Sequence, residues 1–408
     1  MLKLLRQTNF ALFWTSGLVS AAGDWVLFTA LPFFVYHLTG SPLATGAMFV
    51  AQTLPSLLWG PVGGVYADRW NRQQVMIVAD ILRGIVLLPL LLVRSAESVW
   101  IVYVVGFLEV SITQFAAPAE TAILPTLVPE TDLAAANSLN AMNDNLARLA
   151  GPALGGAAMA TYGLPTVVML DVASYVVSAL LIAFLKPPVQ AAALREHATI
   201  WGDWLAAMAL VARRRPLAVL FGVTATAVVA EGVLTVLLVP FVKDLLGGGA
   251  ADFGWLMTAR GVGGIAGGLL VGMMASVLRP EKMLSAGLAG CGAILLAMVY
   301  FRSLWAGLAL LVLVGIPGTA FIIGAQTLLQ TNAPDEFRGR ISGSFGTTLA
   351  LASLAGMALG STLGAPAGVA AMFSAAGFIY LVSAVTAWIG FRRQWNGAPK
   401  QEARVPRP

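Results

Sequence analysis

Six of the ionisable side chains inside long apolar runs of the sequence are candidates for a function, because a charge is costly there. A carboxyl group in an apolar cavity can exchange a proton near neutral pH, and its ionised form can bind a cation. Two of the six, Asp144 and Arg148, are one helical turn apart and can pair along one helix. We therefore predict a proton-coupling or substrate-binding site, with static ion pairs that order a bundle as the alternative. The six residues are Asp24, Glu109, Asp144, Arg148, Glu231 and Arg260.

The composition predicts helices that span a membrane. Of the 408 residues, 58% are hydrophobic and only 11% are charged, whereas soluble domains carry about 25% charged residues. One cysteine and two histidines exclude a disulfide framework and a thiolate metal site. The sequence also contains no P-loop for nucleotide phosphates. We expect no metal, no cofactor, no ATP drive from this chain and no enzymatic activity.

The apolar runs predict twelve membrane spans, because about 20 apolar residues are enough to cross the hydrocarbon core of a bilayer. The predicted limits are 10–36, 43–66, 74–94, 98–121, 137–161, 164–186, 216–242, 252–278, 282–301, 303–331, 340–363 and 366–391.

The basic residues orient these spans. With both termini in the cytoplasm, 18 of the 24 lysines and arginines lie inside, three lie outside, and three lie within spans. Cytoplasmic loops carry an excess of Lys and Arg, so this distribution favours cytoplasmic termini. We expect a multi-pass protein of the cell inner (plasma) membrane. The basic pI then reflects contact with anionic membrane lipid, and we expect no nucleic-acid partner.

Four segments follow from these spans. The predicted N-terminal six-helix bundle is 1–186, and the predicted C-terminal six-helix bundle is 216–391. Between them, 187–215 is predicted to be a cytoplasmic linker with an amphipathic helix. The polar segment 392–408 is predicted to be a disordered cytoplasmic tail.

An internal repeat supports two related bundles. Residues 149–156 match residues 354–361 with six identities in eight, at an offset of 205 residues, about half the chain. Two six-span halves related by duplication are typical of carriers that rock around a central site.

Two motifs resemble a known family. The segment Gly64-Val-Tyr-Ala-Asp68-Arg69-Trp-Asn71-Arg72-Gln73 is similar to the signature loop of the major facilitator superfamily, with Asn71 in place of its second glycine and Gln73 in place of its last basic residue. The sequence Gly151-Pro152-x-x-Gly155-Gly156 resembles the antiporter motif of exporting members. Pro334–Arg340 and Gly23-Asp24-Trp25 resemble the branch of macrolide-efflux and enterobactin-exporter proteins.

The resemblance implies an all-α integral membrane fold of twelve transmembrane helices in two pseudo-symmetric six-helix bundles. In that fold the first, fourth, seventh and tenth spans line the cavity, which favours Asp24, Glu109 and Glu231 as coupling residues, and Arg260 can meet Glu231. The third and sixth spans lie outside. Asp80 and Arg83 are therefore predicted to form a structural pair, and Asp171 has no predicted role.

The resemblance also predicts a cytoplasmic gate. Its residues are Gly64, Asp68, Arg69 and Arg72, and the arginines can pair with a carboxylate such as Glu120 or Glu130. In the antiporter motif, Pro152 removes one helix hydrogen bond, while Gly151, Gly155 and Gly156 allow a neighbouring helix to approach closely.

The sequence therefore predicts a secondary transporter that exports lipophilic or amphipathic molecules of the drug or macrolide type by proton antiport. Its expected partners are protons, a small amphipathic substrate and membrane lipid, and we expect a monomer. A dedicated siderophore or lysophospholipid transporter on the same scaffold is the alternative. A membrane sensor that transports nothing is less favoured, because it would call for an appended signalling domain.

Overall fold

The computed structural model of the protein describes residues 3–67, 70–186, 208–274, 278–334 and 337–397, with side chains given except for 61–67 and 393–397. The described chain forms twelve long helices. Their bounds are α1 Thr8–Thr39, α2 Pro42–Ala67, α3 Arg72–Leu87, α4 Trp100–Leu127, α5 Leu133–Tyr162, α6 Leu164–Ala183, α7 Arg215–Pro240, α8 Ala250–Met274, α9 Pro280–Tyr300, α10 Leu304–Asn332, α11 Arg338–Ala367 and α12 Val369–Gly397.

The helices match the twelve predicted spans. Ten of them are long and apolar enough to cross a membrane by length and composition alone, and α2 and α5 are the two that fall short. In α5 the reason is a polar first half, which includes Asn137, Asn140 and Asn143. The helix α12 continues beyond the predicted limit at residue 391. Residues 187–207 of the predicted linker and 398–408 of the predicted tail lie outside the described residues.

Glycines end two of the helices at equivalent points of the two halves. The helix α5 is followed by Gly163 with φ 76°, and α11 is followed by Gly368 with φ 84°. Positive φ angles are open to glycine without a steric penalty, so both positions stop a helix and turn the chain. The two glycines are 205 residues apart, the offset of the internal repeat.

The helix packing repeats in the two halves. In the first half, α1 packs on α5 and α6, α2 packs on α4, and α3 packs on α4 and α6. In the second half, α7 packs on α11 and α12, α8 packs on α10, and α9 packs on α10 and α12. The contacts between the bundles, α2 with α11 and α5 with α8, are related in the same way. The two pseudo-symmetric six-helix bundles predicted from the sequence are therefore present.

The two bundles are closed against each other at one end of the molecule. We call the end that carries the turn at Gly40 the distal end, and the end at which α1 begins the terminal end. At the distal end, the Tyr36 hydroxyl donates a hydrogen bond to Asp244, which follows α7. The ring centroids of Phe33 and Phe253 are 6.5 Å apart there, which adds an apolar contact between α1 and α8.

Further toward the terminal end, two arginines at the interface between the bundles are exposed. Arg260 lies on α8 at the interface with α5, and its side chain is 44% exposed. Arg148 on α5, which interacts electrostatically with Arg260, is also exposed. The bundles are therefore joined by direct contacts at the distal end, while two arginines at the interface of α5 and α8 stay accessible.

Candidate functional site: a central cavity with three carboxylates

A cavity of about 370 Å³ lies between the bundles. Its lining comes from α1, α2, α4 and α6 of the first bundle and from α7 and α11 of the second. Within the described chain, α10 contributes no residue to this lining, contrary to the prediction for the tenth span. The lining residues are Asp24, Leu27, Phe28, Phe49, Gln52, Thr53, Glu109, Val110, Thr113, Asp171, Thr235 and Met357.

Asp24 and Glu109, two of the predicted coupling residues, meet at one hydroxyl group. Tyr175 Oη on α6 lies 2.5 Å from Asp24 Oδ1 and 3.3 Å from Glu109 Oε1. One hydroxyl proton can be donated to only one of these oxygens at a time. Two neighbouring carboxylates repel each other, so a proton or a cationic group bound between them is stabilised. This arrangement is suited to proton exchange and to cation binding.

Asp171 is the third carboxyl group of the cavity, which corrects its placement on the outside. The helix α6 packs on α1, and Asp171 lies on the face of α6 turned toward Gly23, beside Asp24. A Cβ atom added at Gly23 would collide with the Asp171 side chain. Asp171 is 1% exposed, and its Oδ1 accepts a hydrogen bond of 3.2 Å from Ser174 Oγ.

Arg83 lies directly behind the Tyr175 ring. Its guanidinium carbon is 4.5 Å from the ring centroid, and the guanidinium also forms an ion pair with Asp80. The predicted pair is therefore confirmed. The prediction that the pair lies on the outside is wrong, because Asp80 and Arg83 face the bundle interior and are 2% and 9% exposed.

In the second bundle, Glu231 and Arg260 meet as predicted. Arg260 Nη2 lies 2.5 Å from Glu231 Oε1, and Tyr380 Oη on α12 donates to Glu231 Oε2 over 2.9 Å. Glu231 is not among the residues that line the central cavity, although Thr235, one turn further along α7, is. Glu231 is therefore a neutralised carboxylate beside the cavity, whereas Asp24 and Glu109 lie within it.

The predicted pairing of Asp144 with Arg148 is not found among the described ion pairs. Instead, the Arg148 guanidinium lies 5.2 Å from the ring centroid of Trp25. A guanidinium over an indole face is stabilised by a cation–π interaction, and the contact joins α5 to α1. In this position Arg148 also interacts electrostatically with Arg260 and Glu231 of the other bundle.

The two tyrosines were missed by a search for charged residues, although the repeat carries a signal for both. Tyr175 and Tyr380 are 205 residues apart, and each donates to a carboxylate on the first helix of its own bundle, Asp24 or Glu231. The duplication therefore produced two copies of one tyrosine–carboxylate unit.

The antiporter-motif residues lie at close helix contacts. Gly151 and Gly155 on α5 lie against α1. At Gly156, α5 instead meets α8 of the other bundle, because a Cβ added there would lie 3.0 Å from the Cα of Gly254. Thr258 Oγ1 donates to the Leu149 carbonyl at the same interface, over 3.0 Å. Pro152 lies inside α5 and is buried.

The predicted cytoplasmic gate is only partly described. Gly64 lies within α2, and Asp68 and Arg69 lie outside the described residues. Arg72 begins α3, where the Asn71 side chain caps the helix by accepting from Gln74 N over 3.1 Å. Glu120, a suggested partner of the gate, lines a small cavity inside the first bundle. The gate itself stays a prediction.

The Glu231–Arg260 pair gives a first testable expectation. Replacing Arg260 with Gln leaves Glu231 without its charged partner. It should destabilise the protein by about 2 kcal/mol, less than the ~3–5 kcal/mol of a fully buried pair because Arg260 is partly exposed. The midpoint of thermal unfolding, followed by tryptophan fluorescence in detergent, would show the change. Arg94→Gln, an exposed distal arginine, is the control, and equal midpoints for the two variants would contradict the expectation.

Twelve membrane helices in two repeated bundles around a charged central cavity define a transporter of the major facilitator type, a class of carriers and not of enzymes. The chain belongs to the transmembrane secretion effector family of this superfamily, whose profile matches residues 2–405.

Several relatives are transporters. The chain is 27% identical over 401 residues to the uncharacterized MFS-type transporter YfiS of Bacillus subtilis (strain 168), covering 91% of this chain and 90% of that protein. It is 25% identical over 386 residues to the multidrug efflux pump Tap of Mycolicibacterium fortuitum, covering 91% and 93%. It is 26% identical over 184 residues to macrolide efflux protein A of Streptococcus pyogenes, covering 45% of each.

Among solved structures, the fold is similar to that of a bacterial homologue of the iron transporter ferroportin in an inward-facing state. The TM-score is 0.73 at 18% sequence identity, and the match covers 97% of this chain and 100% of that one. The similarity concerns the fold alone.

Proposed function

We propose that the protein is a secondary active transporter that exports lipophilic or amphipathic small molecules by proton antiport with alternating access. The observation that carries this proposal is the pair of cavity carboxylates, Asp24 and Glu109, that meet at the Tyr175 hydroxyl. Both belong to the first bundle, while the cavity is completed by Thr235 and Met357 of the second. Rocking of the bundles therefore changes the surroundings of the carboxylates.

The cavity lining supports an amphipathic substrate. Its volume of about 370 Å³ falls within the range of about 300–1,000 Å³ found for pockets that bind drug-sized ligands. Leu27, Phe28, Phe49, Val110 and Met357 supply apolar surface around the carboxylates. A sugar would need many matched hydrogen-bonding groups, because an unmatched hydroxyl is costly to bury. Relatives described as multidrug and macrolide efflux proteins support the same class of substrate.

A proton and a cationic substrate then compete for one site. When a proton is bound between Asp24 and Glu109, the repulsion between the carboxylates is relieved and the affinity of the site for a cation falls. When the cation is bound, the proton is released. The carrier changes between its two states with either the proton or the cation bound. Because the two ligands alternate at one site, proton entry is coupled to substrate export.

The direction of export rests on the similarity to efflux proteins, and the predicted orientation says which end then loads substrate. With both termini in the cytoplasm of the cell, the terminal end faces the cytoplasm, and a carrier that opens there loads its substrate for export. A tag at either terminus should then be degraded by protease only in everted membrane vesicles.

Transport itself can be measured in everted vesicles with ethidium in the medium and an acidic lumen. Vesicles that contain the protein should accumulate ethidium, and a protonophore should abolish the accumulation. Control vesicles without the protein should show neither effect. Absence of any protein-dependent accumulation of ethidium or erythromycin would contradict the proposal. Accumulation of a ferric siderophore or a lysophospholipid in their place would select the alternative substrate class.

A further inference from the structure

We propose that the first bundle contains its own proton path, which runs from the Asp24–Glu109 pair behind Tyr175, through Asp80 and Arg83, to Glu120 at its terminal half. The path lies inside one bundle, away from the substrate cavity between the bundles. This inference rests on the proposed proton coupling and adds the route by which the proton leaves.

The path begins at the Tyr175 hydroxyl. The two carboxylates lie 2.5 Å and 3.3 Å from it on the cavity side. The Arg83 guanidinium lies over the face of the same ring, 4.5 Å from the ring centroid. Its positive charge interacts with both Asp24 and Glu109. Arg83 therefore stabilises the carboxylates after they have lost the proton.

The middle of the path is a second, small cavity inside the first bundle. It has a volume of about 30 Å³, which is enough for a water molecule. Two residues that line this cavity each carry a buried polar atom, Asp80 Oδ2 and Arg83 Nε, that has no hydrogen-bond partner among the described residues. Its polar lining comes from α1, α3, α4 and α6 and consists of Ser16, Ser20, Asp80, Arg83, Glu120 and Ser178.

Glu120 forms the far side of this cavity. It lies eleven residues after Glu109 on α4, which places it about 16 Å closer to the terminal end. The Glu120 carboxyl lies near Asn140 of α5 and interacts electrostatically with Asp144, which is exposed. Charged or titratable groups of α1, α3, α4 and α6 therefore face this interior, and Asp144 of α5 lies at the surface toward the terminal end.

The second bundle lacks counterparts of five ionisable residues of this interior. Gly84 and Gly292 align α3 with α9, Trp100 and Trp305 align α4 with α10, and Gly163 and Gly368 align α6 with α12. At five aligned positions the second bundle is buried and uncharged, with one cysteine thiol, whereas Ser178 corresponds to Ser383, which is also a buried serine. The residues Asp80, Arg83, Glu109, Glu120 and Asp171 correspond to Leu288, Cys291, Val314, Ala325 and Ala376.

The proton balance is simple. The carboxyl O–H shared by Asp24 and Glu109 breaks, and the proton passes through water beside Asp80 to the Glu120 carboxylate. Glu120 then releases it at the terminal end. Arg83 stays charged throughout. A cation that enters the central cavity can therefore displace the proton, because the proton leaves by a separate route inside the first bundle.

The test separates net proton coupling from substrate exchange in proteoliposomes. With radiolabelled ethidium, Glu120→Gln should slow accumulation driven by a pH gradient by about 100-fold, as expected for loss of a positioned proton carrier. Ethidium–ethidium exchange at equal pH should remain, because exchange needs no proton transfer. Glu97→Gln, an exposed distal carboxyl, should change neither rate.

A second variant tests whether misfolding of the Glu120→Gln protein causes its loss of accumulation. The double variant Asp80→Leu with Arg83→Cys copies the second bundle and removes both members of the ion pair together, so neither Asp80 nor Arg83 is left buried without the other. It should also lose accumulation and retain exchange. If both variants accumulate ethidium normally, or lose exchange as well, the separate path is wrong while proton antiport stands. If the wild-type protein shows no accumulation driven by a pH gradient, the proposed function fails and the path fails with it.

Discussion

Asp24→Asn should abolish the accumulation of ethidium driven by a pH gradient, with a loss of about 100-fold or more. Asn is nearly the same size as Asp and can still accept a hydrogen bond from Tyr175 through its carbonyl oxygen. The substitution removes only the charge and the exchangeable proton from the pair that meets at the Tyr175 hydroxyl. The repulsion that draws a proton or a cation to Glu109 is then lost.

The comparison that makes this result specific is Tyr175→Phe. It retains both carboxylates and removes the group that holds them together, so we expect partial loss and an altered dependence of transport on pH. Thermal unfolding midpoints of both variants show whether the bundle is intact. A fully active Asp24→Asn variant would remove Asp24 from the coupling mechanism and leave the cavity to substrate binding alone.

Gly156→Val should eliminate transport by preventing the closed contact of the two bundles. A Cβ added at Gly156 would lie 2.5 Å from the Ala250 carbonyl oxygen and 3.0 Å from the Gly254 Cα. These are backbone atoms of α8, which cannot move aside without moving the helix. The variant must therefore separate α5 from α8, and the distal end should become accessible.

Accessibility can be measured with a cysteine in place of Phe33 at the distal contact, in a background in which Cys291 is replaced by serine. A membrane-impermeant maleimide applied to the distal side should label this cysteine faster in the Gly156→Val protein. Gly268→Val is the matched control on α8, because no heavy atom lies within 4 Å of a Cβ added there. Normal transport by the Gly156→Val protein would show that the contact is not part of the cycle.

The fold could be predicted from the sequence because its main determinants are local. Apolar runs specify the spans, and the offset of 205 residues between 149–156 and 354–361 reveals the duplication. The helix packing then repeats between the halves. The end of α12 at Gly397 was harder to place, because a helix can continue beyond the apolar run that marks the membrane.

The site was only partly predictable, because it depends on which helix faces touch. Asp24, Glu109 and Glu231 could be found as charges in apolar runs. Asp171 could not be placed, since α6 counts as an outer helix while one of its faces lies on α1 and the cavity. Spacing allowed Asp144 to pair with Arg148, yet the tertiary contact of Arg148 with Trp25 prevails.

The contact of Gly156 with Gly254 has a mechanical consequence. It lies near the distal end of α5, and the start of that helix at Leu133 is about 35 Å away along its axis. If this contact serves as a fulcrum, a rotation of about ten degrees swings Leu133 through about 6 Å. The two glycines let α5 and α8 approach closely at the distal end. With their contact as the fulcrum, a small tilt there moves the terminal end of α5 far enough to open a passage.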